Sequence, residues 1–132
     1  MKNIVKTLLP LALALPVILC VAQSAAAQDP TVVDSAHYTV DLETDDVRVV
    51  RIKYGPGEGS VMHYHPESIV VALTDGSVHM TLPDGTEMDM SMSAGQVMVT
   101  PAGSHMPKNT GEAALEVLQI ELKKSEEMME HH

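Results

Sequence analysis

The sequence predicts a single all-β domain, a sandwich or barrel built from short antiparallel strands. Short apolar stretches alternate with turn signals about every eight to twelve residues, the spacing expected of such folds. Asp-Gly pairs at Asp75 and Asp84 indicate tight hairpin turns and should supply the positive φ that such turns need. Neither an internal repeat nor a linker divides the chain, so one domain with one modest core is expected.

The elements follow in order from this alternation. Residues 28–35 carry no strand pattern and are expected to form an unstructured or edge arm. Strands are predicted within 36–122, at 36–43, 46–54, 60–65, 68–73, 77–82, 86–92, 96–100, 104–108 and 113–122. Residues 123–132 are a charged tail, frayed helix or disorder, and its final His131 and His132 are excluded from any site.

Residues 1–27 have the pattern of a secretory signal peptide. Lys2 and Lys6 precede an apolar run over 8–22, and three alanines ending at Ala27 form a small-residue cleavage site. A membrane anchor is the alternative, but the apolar run is short and Pro10 and Pro16 interrupt it. We expect cleavage after Ala27 and a periplasmic or secreted mature protein that is not held at the membrane.

Composition limits the partners of the mature chain. The chain has 18 acidic residues against 8 basic ones, and two of the basic ones, Lys2 and Lys6, leave with the signal peptide. Such an acidic protein is a poor partner for nucleic acid or for an anionic membrane surface. The single cysteine, Cys20, also lies in the leader, so the mature chain has neither a disulfide nor a thiolate ligand.

Three histidines form the candidate metal site. His63 and His65 alternate on one strand and therefore project from the same face. His105 arrives from a separate strand, behind the turn at 101–103. Three imidazoles that converge from two directions can hold a divalent transition metal such as Fe, Mn, Zn, Ni or Cu and leave positions open.

The segments around these histidines resemble the two motifs of the cupin superfamily, small bacterial cupins of the cupin-2 type in particular. The first motif, G-x5-H-x-H-x3,4-E-x6-G, is matched except at its glutamate, and the second, G-x5-P-x-G-x2-H-x3-N, is matched at every fixed position. The matching residues are Gly57, His63, His65 and Gly76, then Gly95, Pro101, Gly103, His105 and Asn109. The resemblance implies a cupin jelly-roll β-barrel with a metal inside, and a structural role for Asn109.

The missing glutamate is the one departure from the motif. At three residues' spacing its position holds Ile69. Three neutral imidazoles would leave the full charge of the metal and more open positions, so Ile69→Glu is expected to add a ligand. Glu67 shares strand parity with His63 and His65. It is a second candidate ligand, or else an acceptor for an imidazole N–H.

Methionine replaces phenylalanine, which the chain lacks, as the expected core filler. Met88, Met90 and Met92 lie on one strand face, and inward packing explains this better than a thioether site for Cu(I). His79 shares a face with polar neighbours and is expected to face solvent, whereas the face of His37 cannot be assigned.

Two functions are compatible with these residues. The first is an exported metal-binding cupin that binds or oxidises a small, anionic molecule, and here the resemblance implies a dioxygenase-type oxidoreductase, since cupins with three-histidine sites include thiol dioxygenase-like proteins. The second is a non-catalytic periplasmic module that binds metal or ligand. No proton-transfer residue is evident beside the ligands, so catalytic residues cannot be assigned. The resemblance also leaves open a homodimer.

Overall fold

The computed structural model describes residues 28–123, so the leader and the tail beyond Lys123 lie outside the described residues. All the predicted strands are present, with bounds shifted by a few residues at most. The elements are α1 Pro30–Val33, β1 Tyr38–Glu43, β2 Val47–Tyr54, β3 His63–His65, β4 Ser68–Ala72, β5 Gly76–Thr81, β6 Glu87–Met92, β7 Val97–Thr100, β8 Gly103–Asn109 and β9 Leu115–Leu122. Within residues 28–123, no helix is long and apolar enough to cross a membrane.

The strands form two antiparallel sheets that face one another, and the predicted all-β jelly-roll barrel is confirmed. The five-stranded sheet has the order β1-β2-β9-β4-β7, and the four-stranded sheet has the order β3-β8-β5-β6. Chain neighbours such as β3 and β4 lie in different sheets, so the chain repeatedly crosses between them. The ligand strands β3 and β8 are therefore adjacent in one sheet, opposite the inner face of the other.

Strand alternation decides which side chains enter the barrel. On β2, Val50, Ile52 and Tyr54 are buried, and on β9 burial alternates from Leu115 to Glu121. Apolar side chains from both sheets make the core, and they are Tyr38, Val50, Ile52, Tyr54, Val70, Ala72, Val78, Met92, Leu115 and Val117. Because β2 and β9 pair along their whole length, polar residues on the same inner faces are carried into the barrel as well.

The two Asp-Gly turns differ from each other. Gly85 has the expected positive φ of 85° in a turn where Leu82 N donates to Thr86 O. Gly76, by contrast, is not among the positive-φ glycines, so that part of the prediction is wrong. Glycine is needed there for space, since a Cβ on Gly76 would lie 2.4 Å from Leu115 Cδ1.

The N-terminal segment 28–35 is not the unstructured or edge arm that we expected. Pro30–Val33 forms a helical turn whose N-cap is Asp29, and the Asp29 carboxylate accepts a hydrogen bond from Thr31 N at 2.9 Å. An aspartate followed by proline is a good helix start, because the carboxylate satisfies a free N–H and proline fixes φ. This turn packs against β1 and β3, which places Asp29 and Asp34 near the ligand strands.

Candidate metal centre

The three predicted histidines meet inside the barrel. His63 and His65 are 0% and 2% exposed on β3, and His105 lies directly opposite His63 on β8. One nitrogen from each imidazole lies within 4.8 Å of the others. Within residues 28–123, no other cluster of histidine, cysteine or carboxylate side chains meets the same geometric condition. The three residues thus form a compact donor set that is compatible with a single metal ion.

Hydrogen bonds fix the tautomers of two of these histidines. His63 Nδ1 lies 2.7 Å from the carbonyl oxygen of Val61, which can only accept, so this nitrogen carries the proton. His65 Nδ1 donates in the same way to Glu121 Oε1 at 2.7 Å. With Nδ1 engaged outside the cluster, each of these histidines directs its Nε2 into it, and the two Nε2 atoms lie 3.1 Å apart. In a neutral imidazole this is the nitrogen that can bind a metal ion.

Burial keeps the imidazoles of His63 and His105 neutral. Burial, followed by the neighbouring His65, lowers the pKa of His63 to about 4. Burial, followed by His65 and His63, lowers the pKa of His105 to about 3. A neutral imidazole is the form that binds metal, so His63 and His105 are in their ligand form at neutral pH.

Tyr38 lies beside the cluster and was not predicted from the sequence. Tyr38 Oη lies 3.0 Å from His63 Nε2, and it must donate because that nitrogen has no proton. Its hydroxyl also contacts the hydroxyl of Tyr54. Burial raises the pKa of Tyr38 far above its ordinary value, so the group stays protonated at neutral pH. A proton-carrying group is therefore present at the cluster, although none was evident from the sequence.

Glu121 is the second residue that the sequence analysis missed. Its carboxylate accepts from His65 Nδ1 and, at 2.6 Å, from Arg48 Nε, and Arg48 donates in turn to Asp29 at 2.6 Å. Burial alone would raise the pKa of Glu121, but the hydrogen bonds from His65 and Arg48 outweigh it and lower the pKa. The sequence did contain a signal for this residue, because Glu121 shares a strand face with Leu115 and Val117. A carboxylate on an apolar face is rarely without a partner.

A shorter chain of contacts supports His63 from the same side of the barrel. Ser60 Oγ lies 3.3 Å from His63 Nδ1 and donates to Asp34 Oδ2 at 2.5 Å. Asp34 also accepts from His37 Nδ1 at 2.9 Å, which gives His37 a structural partner. The N-terminal segment therefore supports two of the three histidines, through Asp29 and through Asp34.

Glu67 and Ile69 do not belong to the cluster. Glu67 is absent from the group of converging ligand atoms, and Glu121 makes the imidazole contact that Glu67 was expected to offer. Ile69 lies between the buried residues Ser68 and Val70 on β4 and pairs with Val99 and Ile120 on the outer face. The expectation that position 69 faces the metal is wrong, because side chains alternate along a strand and Val70 points inward instead.

The other polar predictions are resolved more simply. The Asn109 amide donates to the carbonyl oxygens of Gly55 and Ala113 at 3.1 and 2.9 Å, and its oxygen accepts from Gly111 N, so its structural role is confirmed. His79 is partly exposed and pairs with Asp89 across two strands at the surface, as its face predicted.

An apolar cavity of about 760 Å³ adjoins the cluster and is lined by His65 and His105. Five methionines line it, namely Met80, Met88, Met90, Met92 and Met98. Of these only Met92 is fully buried, and Met88 is 41% exposed. The expectation that methionines fill the core is confirmed for Met92, and Met80 and Met98 pack against that core, whereas the expectation is wrong for Met88.

Comparisons with known proteins agree with this geometry. A family model described as "Cupin domain", of the cupin-2 type, matches residues 50–121. The chain is a cupin. The match spans β2 to β9 and includes all three clustered histidines. Among curated proteins, none is significantly similar in sequence to this cupin.

Several solved structures similar to this cupin are described as cupin or double-stranded β-helix proteins. A cupin domain from Bordetella pertussis Tohama I is 25% identical with a TM-score of 0.61, over 65% of this chain and 91% of that one. A double-stranded β-helix protein from Klebsiella pneumoniae is 24% identical, with a TM-score of 0.51 over 64% and 74% of the chains. An RmlC-like cupin from Methanocaldococcus jannaschii is 20% identical, with a TM-score of 0.51 over 67% and 83%. The last two support the fold alone.

Proposed function

We propose that this cupin is an exported metalloprotein that holds one divalent transition metal on His63, His65 and His105 and binds a small molecule beside it. The observation that carries the proposal is the convergence of one nitrogen from each of the three imidazoles, all within 4.8 Å of one another inside the barrel. Imidazole ligands suit Zn, Cu, Fe and Ni, and Mn is the remaining candidate. When bound, the metal supplies Lewis-acid chemistry and, for a redox-active ion, electron transfer.

The surroundings favour a site that remains open to a ligand. Three protein ligands leave at least one position of a tetrahedral metal free. The carboxylate nearest to the cluster, Glu121, is held on the far nitrogen of His65 and is engaged by Arg48. It therefore orients His65 rather than occupying a position on the metal.

A specific observation favours catalysis, as an oxidoreductase of the dioxygenase type. Tyr38 keeps its proton and its Oη lies 3.0 Å from His63 Nε2, so a molecule bound beside that nitrogen would meet a hydrogen-bond donor. The Tyr54 hydroxyl contacts that of Tyr38 and holds it in place. In a non-catalytic binding module the Tyr38 hydroxyl would only orient His63 or the ligand, so Tyr38→Phe separates the two functions. Loss of oxygen consumption with ligand binding intact would indicate an enzyme.

The metal proposal is tested by elemental analysis of protein purified from its own periplasm, together with Zn²⁺ titration of single variants. We expect one metal ion per chain, and severe loss of affinity in His63→Ala, His65→Ala and His105→Ala. His79→Ala is the matched control, because His79 lies at the surface and pairs only with acidic side chains. Equal loss in the control, or no loss in the three variants, would contradict the proposal.

Export is proposed from the leader pattern in residues 1–27. Intact-mass measurement of the periplasmic protein should give a chain that begins at Gln28. A mass that retains Cys20, with or without acyl chains, would contradict cleavage after Ala27.

A further inference from the structure

We infer that the ligand of this cavity is amphipathic, with one metal-binding head group and an apolar body, and that it is not a polyanion. The inference rests on the proposed function for the head group alone. The body is assigned independently, from the lining of the cavity.

The lining excludes a second charged group on the ligand. Among the lining residues that the structure describes there is no lysine or arginine, and Asp84 is the single carboxylate. The nearest inward arginine, Arg48, already contacts two carboxylates, at 2.6 Å each, and does not line the cavity. A second anionic group would therefore either lose its hydration inside the cavity without meeting a cation, which is costly, or lie at the opening beside the carboxylate of Asp84.

The lining favours an apolar body. The walls comprise five methionines together with aliphatic residues such as Ile52, Val78 and Leu82. Cavities of about 300–1,000 Å³ hold drug-sized ligands, and 760 Å³ lies well within this range. Methionine side chains are flexible and polarizable, so these walls can adapt to chains of differing shape.

The positions of the polar groups indicate how the ligand is oriented in the cavity. His65, His105 and Gln119 line the same cavity as the methionines, with the hydroxyl-bearing Tyr38 and Tyr54 beside them. Pro83, Asp84 and Pro101 also line it and are exposed, so the cavity opens to solvent near these turns. The head group belongs at the histidines, and the body extends along the methionines towards the opening.

Calorimetric titration of Zn²⁺-loaded mature protein with straight-chain monocarboxylates tests this inference. From butanoate to octanoate, the affinity should rise about fourfold for each added methylene. Octanedioate is the matched probe, since it has the length of octanoate but a second carboxylate, and it should bind far more weakly. An affinity that is independent of chain length, or octanedioate binding as tightly as octanoate, would overturn the inference.

Two methionines with nearly the same solvent exposure allow a variant and a matched control. Met88 is 41% exposed and lines the cavity, whereas Met106 is 40% exposed and does not. Met88→Glu should reduce octanoate affinity at least tenfold, and Met106→Glu should leave it unchanged. Both side chains already reach solvent, so neither change should prevent folding. Equal effects of the two variants would overturn the assignment of the body.

Titration of metal-free protein with two uncharged alcohols separates this inference from the metal proposal. If 1-octanol, which carries no charge, binds metal-free protein better than 1-butanol and Met88→Glu weakens it, the apolar body is supported whether or not metal binds. If Zn²⁺ binds but neither alcohol nor carboxylate affinity depends on chain length, the metal proposal survives and the amphipathic ligand is overturned.

Discussion

Two arginines of β2 form similar ion-pair triplets on opposite faces of the same sheet. Arg48 lies inside and joins Asp29 to Glu121, while Arg51 lies outside and joins Asp41 to Glu116. In each triplet, one aspartate precedes β2 in the chain and one glutamate comes from β9. The N–O distances in both triplets are 2.5–2.6 Å, so contact distance does not distinguish them.

The two triplets differ in the burial of the glutamate and in whether the glutamate also contacts a histidine of the cluster. The Glu121 side chain is 3% exposed and continues to His65 Nδ1, whereas that of Glu116 is 31% exposed. Water and salt screen the outer triplet, but they scarcely reach Glu121 in the inner one. The same residue types therefore make an ordinary surface interaction on one face and a support for the metal centre on the other.

The largest expected difference between the triplets comes from removing the glutamates. Glu121→Ala leaves Arg48 and the His65 N–H without their buried partner, and loss of one member of a buried pair costs about 3–5 kcal/mol of unfolding free energy. Metal affinity should fall about 10- to 100-fold, because His65 loses the acceptor that orients it. Urea denaturation and Zn²⁺ titration measure the two effects.

Two further variants sharpen this test. Glu121→Gln keeps the volume of the side chain and an oxygen for His65 but loses the charge, so it should recover metal affinity only in part, whereas a purely steric role predicts full recovery. Glu116→Ala should leave metal affinity unchanged. If Glu116→Ala weakens metal binding as much as Glu121→Ala does, the comparison between the faces fails.

Acid should destabilise the metal-free protein by protonating the buried histidines. The folded-state pKa values of His63 and His105, about 4 and about 3, lie below the ordinary value of 6.5. The unfolded chain therefore binds more protons, and stability falls as pH drops from about 6.5 towards 3, by up to about 1.4 kcal/mol per pH unit for each histidine. Metal-free protein followed by urea denaturation at pH 7, 5.5 and 4.5 should show this loss, and His105→Ala should show a smaller one. Stability that is constant over this range would contradict buried neutral imidazoles.

A smaller effect is expected from changing the aspartate of each triplet. Asp29→Asn keeps a good helix N-cap, since asparagine caps as well as aspartate, but removes the charge that Arg48 contacts. Metal affinity should fall several-fold. Asp41→Asn makes the same chemical change beside Arg51 and should have no effect on Zn²⁺ titration. A decrease in both variants would point to the net charge of the protein rather than to the inner triplet.

Most of the fold and the three histidines could be predicted because their signals are local. Strand alternation and turn residues act over a few positions, and His63 and His65 share a face by strand geometry alone. The helical turn at Pro30–Val33 was also readable, since Asp29 followed by Pro30 is a helix start. The error at Ile69 came from a shift of one residue, which moves a side chain to the opposite face of a strand.

The remainder of the centre depends on contacts between distant segments. Glu121 reaches His65 across 56 positions of sequence, and Tyr38 reaches His63 across 25. These contacts follow from how β9 and β1 are placed around β2, which no local pattern specifies. The size of the methionine-lined cavity likewise depends on how far apart the two sheets pack.

We propose that one metal ion binds at the point where one nitrogen each of His63, His65 and His105 converge. A crystal structure of the metal-loaded protein with anomalous diffraction at the metal edge tests this claim most directly. We expect a single peak at about 2.0–2.1 Å from Nε2 of His63 and of His65, with His105 as the third ligand and Glu121 still on His65 Nδ1. A peak ligated by Glu67 or by methionine sulfur, or ligation of His65 through Nδ1, would contradict it.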